Sequence, residues 1–151
     1  LAKHYFDNNG ITLFLSTHPS NYEPFSNYFS VSVGAVPKQQ HAGADIALLG
    51  STRALANQGG KWIRPPNGQT TTIFCACKTR KLPFFTYPTS VPWDGSLLGL
   101  YPTQLAIDTF ATGEGMVGWL NNIDWEELGA YYGGRYKFSQ RQLMNIVVPK
   151  L

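Results

Sequence analysis

The chain has 151 residues, of which 43% are hydrophobic and 14% charged, with a formal net charge of +3. That length fits one domain, because two would each be too small to bury a good core, and the apolar content excludes a disordered chain. No apolar run approaches 18 residues and only two cysteines are present, which excludes a membrane-spanning helix and a disulfide-dense scaffold.

Taken in chain order, Asn8-Asn9-Gly10 is a turn signal and Ile11–Ser16 a short strand, followed by a turn at His18–Asn21. Tyr28–Val36 alternates, with Phe29, Val31 and Val33 on one face, and predicts a half-buried strand. Lys38–Gly43 reads as a loop and Ala44–Leu49 as an apolar patch. Ser51 is placed to cap a helix over 52–58 closed by Gly59-Gly60. Trp62-Ile63 reads as a short strand before the Pro65–Gly68 turn. Thr70–Thr79 is β-branched and predicts a strand with Thr71, Ile73, Cys75 and Cys77 on one face.

Pro83 and Pro88 confine Leu82–Tyr87 to an edge strand, since proline donates no ladder bond. The whole of Leu82–Pro102 is too apolar to lie in water. It is expected to avoid central-strand positions and to pack under the sheet or against a neighbouring chain as an arm. Thr103 caps an expected helix over 104–111 that Gly113 ends, and Met116–Ile123 is assigned to no element. Asp124 and Glu127 have capping-box spacing and open a helical turn towards Tyr132, stopped by Gly133-Gly134. Arg135–Phe138 and Leu143–Val148 read as extended. No internal repeat or dividing linker is present, so the expectation is a single domain over 1–151, either entire or excised from a longer chain. Its class is mainly β, a sandwich, jelly roll or small barrel with short helical insertions, with α+β as the alternative.

Charge is segregated along the chain. Residues 61–90 carry Lys61, Arg64, Lys78, Arg80 and Lys81 and no acid. Residues 91–127 carry six acids and no base, and residues 128–151 carry four bases and no acid. Trp62 and Trp93 flank the first basic block, with Phe84, Phe85 and Tyr87 between them. If 61–64 pairs with 78–81 across the Pro65–Gly68 turn, five cations and several rings share one patch. Such a patch suits phosphate backbones and stacked bases.

Other motifs point to no chemistry of their own. Cys75-Ala76-Cys77 supplies two of the four ligands that zinc needs and has no second pair, so it reads as two small buried hydrophobes. His4, His18 and His41 lack metal spacing. Gly68–Thr72 lacks the Gly-Lys-Ser/Thr end of a phosphate loop, and no dinucleotide fingerprint occurs, so neither a cofactor nor a metal is expected. Asp124, Glu126 and Glu127 are explained by a helix start.

The first functional expectation is a non-enzymatic structural protein that self-associates, a virus or phage coat-type subunit residing in a virion. It rests on apolar ends, segregated charge, the Pro/aromatic segment and the lack of a catalytic motif. The second is a single-stranded nucleic-acid-binding domain using Lys61, Trp62, Arg64, Lys78, Arg80, Lys81 and Trp93. The third is a hydrolase around His18, His41 and the acids of 108–127.

Overall fold

A computed structural model describes residues 21–34, 47–50, 60–62 and 69–151. The principal layer is an open antiparallel sheet of four strands in the order β2-β8-β5-β7. Its members are β2 (Phe29–Val33), β5 (Thr71–Ala76), β7 (Phe84–Val91) and β8 (Leu97–Pro102). Three short pairings surround it. β1 (Tyr22–Pro24) pairs with β11 (Val147–Pro149), and β3 (Ala47–Leu49) pairs with β4 (Gly60–Trp62). A three-stranded sheet runs β6-β10-β9, from β6 (Lys78–Thr79), β9 (Tyr131–Tyr132) and β10 (Arg135–Lys137). Among the described residues there are three short α-helices, α1 (Gln104–Phe110), α2 (Gly113–Asn121) and α3 (Gln140–Asn145), and one 3-10 turn at Phe25–Asn27. Open sheets with short helices agree with the expected mainly-β or α+β class. The barrel option is not realised, because no described sheet closes on itself.

β5 runs through the middle of two cores. The register sets Ile73 beside Leu100 and Cys75 beside Leu98, while Phe74 lies beside Gly99 and Ala76 beside Leu97. Side chains alternate across a strand, so Ile73 and Cys75 join the larger core with Val31, Phe84, Met116, Leu120 and Trp125. Phe74 and Ala76 join a smaller core with Leu49, Trp93 and Leu97 on the opposite face. The predicted alternation of this strand is therefore correct; of the two cysteines, both free, Cys75 is buried as expected and Cys77 only partly so. Its predicted length is not. The strand leaves the large sheet at Cys77, whose N–H donates to Ser96 O at 3.1 Å while its carbonyl accepts from Phe138 N at 2.8 Å. Lys78 and Thr79 thereby enter the small sheet.

Four other expectations change. Leu97–Pro102 is a central strand between β2 and β5; Pro102 stands at its last position, so no interior ladder bond is lost. Leu97, Leu98 and Leu100 are at most 1% exposed, so this segment packs within its own sheet and is not an arm for a neighbour. Gly113 opens α2 instead of ending α1, because Thr112 accepts from Gly115 N and starts a new helix. Leu143 lies in α3, and the closing strand begins at Val147. Residues 125–129 form turns, with only the Asp124 cap retained, its Oδ1 accepting from Glu127 N at 3.1 Å. The strand at 11–16, the loop at 38–43, the helix at 52–58 and the turn at 65–68 lie outside the described residues, as do His4, His18 and His41. Thr103 does cap α1, accepting from Ala106 N, and β7 is an edge strand as the prolines require.

The small sheet is tied firmly to the body. Phe138, which follows β10, meets Phe84 of the large sheet edge-on at 5.4 Å and Trp125 at 5.1 Å. Phe84 in turn stacks on Trp125 at 5.5 Å. Aromatic pairs in this range contribute about 0.5–1.5 kcal/mol each beyond the area they bury. Lys137 N also donates to Ala130 O at 2.8 Å.

Candidate nucleic-acid interface

The small sheet gathers cations that are far apart in sequence. β6 and β10 are antiparallel, with Lys78 opposite Lys137 and Thr79 opposite Tyr136. β10 and β9 are antiparallel, with Arg135 opposite Tyr132 and Tyr136 opposite Tyr131. Alternation then sorts the side chains. Tyr131 and Tyr136 share the inner face, their rings 4.7 Å apart and packed against the larger core. Lys78, Tyr132, Arg135 and Lys137 share the outer face. Lys137 Nζ sits 4.1 Å above the Tyr132 ring, a cation–π contact that orders the ammonium group. Arg80 and Lys81 continue from β6 as an exposed turn, closed by Lys81 N donating to Thr79 Oγ1 at 3.1 Å.

Lysines directly opposite one another in a sheet repel. The residues of this sheet include no carboxylate to relieve the repulsion of Lys78 and Lys137. A face with this composition is suited to a polyanion, because phosphates supply the missing negative charge.

The hairpin Tyr131–Lys137 turns through Gly133-Gly134, both at positive φ (65° and 75°). This is the two-residue type I′ arrangement, whose twist matches the flanking strands and whose central positions favour glycine. Among the described residues no heavy atom lies within 4 Å of where either glycine's Cβ would be, and both glycines are exposed.

Of the residues expected to form one patch, the fold brings together Lys78, Arg80 and Lys81. It does not pair them with Lys61 and Trp62. β4 pairs instead with β3, setting Lys61 opposite Leu48 and Trp62 opposite Ala47. Arg64 lies outside the described residues. Trp93 is 2% exposed and its ring meets Phe74 edge-on at 5.7 Å, so it is a core residue and no surface platform for a base. Phe84 is equally buried. Tyr132, Arg135 and Lys137 were not in the expected patch. Tyr-Tyr-Gly-Gly-Arg-Tyr-Lys, a Gly-Gly pair between alternating aromatic and basic residues, is a hairpin signal that could have found them.

Of the groups invoked for a hydrolase, only the acids lie among the described residues. Asp108 lies on α1, Glu114 on α2, and Asp124, Glu126 and Glu127 on the following turns, all exposed. Among the described residues there is no group of three or more His, Cys, Asp or Glu placed to hold a metal. No described helix is long and apolar enough to cross a membrane.

No protein-family profile and no curated protein matches the chain. Solved structures do. The HsdS subunit from Thermoanaerobacter tengcongensis matches with a TM-score of 0.56 at 11% identity, over 87% of this chain and 33% of that one. At that identity the likeness is one of fold alone, to about a third of the HsdS chain. The S subunit of a type I restriction-modification system from M. genitalium matches with a TM-score of 0.48 at 13% identity, over 99% of this chain and 40% of that one. The chain thus spans well under half the length of either. The first of these likenesses overturns the expectation of a coat-type subunit in a virion or capsid: the similar fold is that of an HsdS subunit. The misleading signals were the apolar, proline-rich segment and the segregated charge. The first is divided between the edge strand β7 and the interior strand β8, and part of the second is assembled by the fold into one basic face.

Proposed function

We propose that the chain is a recognition module that binds duplex DNA through the outer face of its small sheet, without catalysing a reaction. The observation that carries this reading is the joining of Lys78, Arg135, Lys137 and Tyr132 on one face. The likeness of the fold to an HsdS subunit supports it. Of the two nucleic-acid forms, duplex fits better than single strand. Single-strand binders need exposed rings on which successive bases stack. Here Phe84 and Trp93 are interior, Tyr131 and Tyr136 are committed to the inner face, and Tyr132, the ring on the outer face of this sheet, is covered by Lys137.

The test is fluorescence anisotropy with a 30-base-pair mixed-sequence duplex, titrated across salt concentrations. If Lys78, Arg80, Lys81, Arg135 and Lys137 neutralise three to five phosphates, log K falls against log salt with a slope of about −3 to −4.5. A flat response, or no binding at low salt, rejects the reading.

A further inference from the structure

We propose that the hairpin Tyr131–Lys137 enters the major groove of duplex DNA tip first, with Arg135 at the base edges and Lys78 and Lys137 at the phosphates of the rim. This rests on the DNA-binding reading and specifies how the site is used.

Four features of the hairpin support it. A two-stranded ribbon fits the major groove, which is about 12 Å wide and 8.5 Å deep. The tip is Gly133-Gly134, exposed and without side chains, so the leading end is as narrow as a polypeptide can be. The arm is held at its base, through the Tyr131–Tyr136 ring contact and the bonds from Lys137 N to Ala130 O and Phe138 N to Cys77 O. It is therefore presented already formed, and little ordering cost falls on binding.

The cations are also graded along the arm. Arg135 is the first residue after the tip, and Lys137 follows two positions later on the same face, with Lys78 beside it. Two residues of strand span about 7 Å. That is close to the depth of the groove, so an arginine at the floor places both lysines near the rim. The chemistry agrees with the placement. Arginine's planar fork makes two hydrogen bonds to guanine O6 and N7, whereas lysine serves phosphate as a point charge.

Binding of the full chain is compared on three 30-base-pair duplexes of one mixed sequence. One is unmodified, one carries glucosylated 5-hydroxymethylcytosine to fill the major groove, and one is pre-bound with netropsin in the minor groove. The glucosylated duplex is expected to bind at least tenfold more weakly, and netropsin to change affinity less than twofold. Arg135→Lys keeps the charge but loses the fork, and is expected to lose about 5- to 150-fold at an unchanged salt slope. Lys78→Gln and Lys137→Gln are each expected to lower the slope by about 0.9. Circular dichroism of each variant checks that the fold is kept.

Equal binding to the glucosylated duplex, wild-type affinity in Arg135→Lys, or preference for the single-stranded 30-mer would each overturn the proposal. If those results accompany a steep wild-type salt slope on the duplex, DNA binding stands and only the groove assignment falls. Absence of duplex binding by the wild type removes both.

Discussion

Gly99→Ala, a change of one methyl group, tests the reassignment of Trp93 from surface reader to core residue. A Cβ at position 99 would lie 2.3 Å from Trp93 Cζ2 and 2.6 Å from Cε2 and Cη2. Carbon atoms in contact settle at about 3.5–4.0 Å, so the indole must retreat by more than 1 Å. It is rigid, and Phe74 and Tyr101 stand against it at 5.7 and 6.2 Å between ring centroids. Overpacking of this kind costs about 1–3 kcal/mol, and the upper half of that range is expected here. Trp93→Leu alone leaves a cavity and is expected to cost about 2–4 kcal/mol. In the Trp93→Leu background the clash is gone. Gly99→Ala should then be neutral or slightly stabilising, because alanine loses less backbone freedom than glycine on folding. The cycle therefore predicts a coupling of about 2–3 kcal/mol. Urea unfolding followed by far-ultraviolet circular dichroism measures it without relying on Trp93 fluorescence. Coupling below about 0.5 kcal/mol would show that the indole does not rest on Gly99, and the interior placement of Trp93 would fail with it. Trp93→Phe, which keeps the ring inside, is expected to bind duplex DNA within twofold of wild type.

Asn121 closes part of the β7 edge, its Oδ1 accepting from Phe84 N at 3.1 Å and its Nδ2 donating to Phe84 O at 2.9 Å. Asn121→Ala orphans both backbone groups and should lower the urea-derived stability by about 1–3 kcal/mol. Lys78→Gln relieves the repulsion from Lys137, so the free protein should gain a few tenths of a kcal/mol at low salt even as DNA affinity falls, and a loss of stability would contradict the like-charge pairing. Thr103→Ala removes the oxygen that accepts from Ala106 N and a donor to Asn27 O, at a cost of about 1 kcal/mol in thermal unfolding. Burial, with a smaller contribution from Asp94, pushes the Cys77 thiol up from 9.0 to about 11. The folded state then holds a proton that the unfolded chain releases, so stability is unaffected below pH 9 and declines as pH rises through 11. Iodoacetamide should accordingly modify Cys77 slowly at pH 8 and faster as pH approaches 11, and fast reaction at pH 8 would contradict this.

Much of the local structure follows from neighbouring residues alone. The burial of Phe29 and Val31 on one face needs only a two-residue period, which fails at Val33, exposed at the strand's end, and the Thr103 cap needs only a hydroxyl three positions before an N–H. Pro83 and Pro88 place Leu82–Tyr87 at an edge for want of donors, and β7 is one. The segment Leu97–Pro102 shows where such reasoning stops. Its burial on both faces depends on β2, β5 and Trp93, which are supplied from elsewhere in the chain, and an apolar run reads the same whether it lies in a core or on an interface. The basic face depends still more on tertiary structure. Lys78 and Lys137 are 59 positions apart, and nothing local to either names the other as its partner. The switch of the chain at Cys77 out of the large sheet, with the register it imposes on β10, decides that they meet. Composition and periodicity thus determined that this chain forms strands, where the Thr103 and Asp124 caps fall, and that its bases lie in blocks. Which cations share a surface, and which rings are withdrawn from it, was decided by strand pairing between distant segments, because a hydrogen-bond register is a relation between two strands and is written in neither alone.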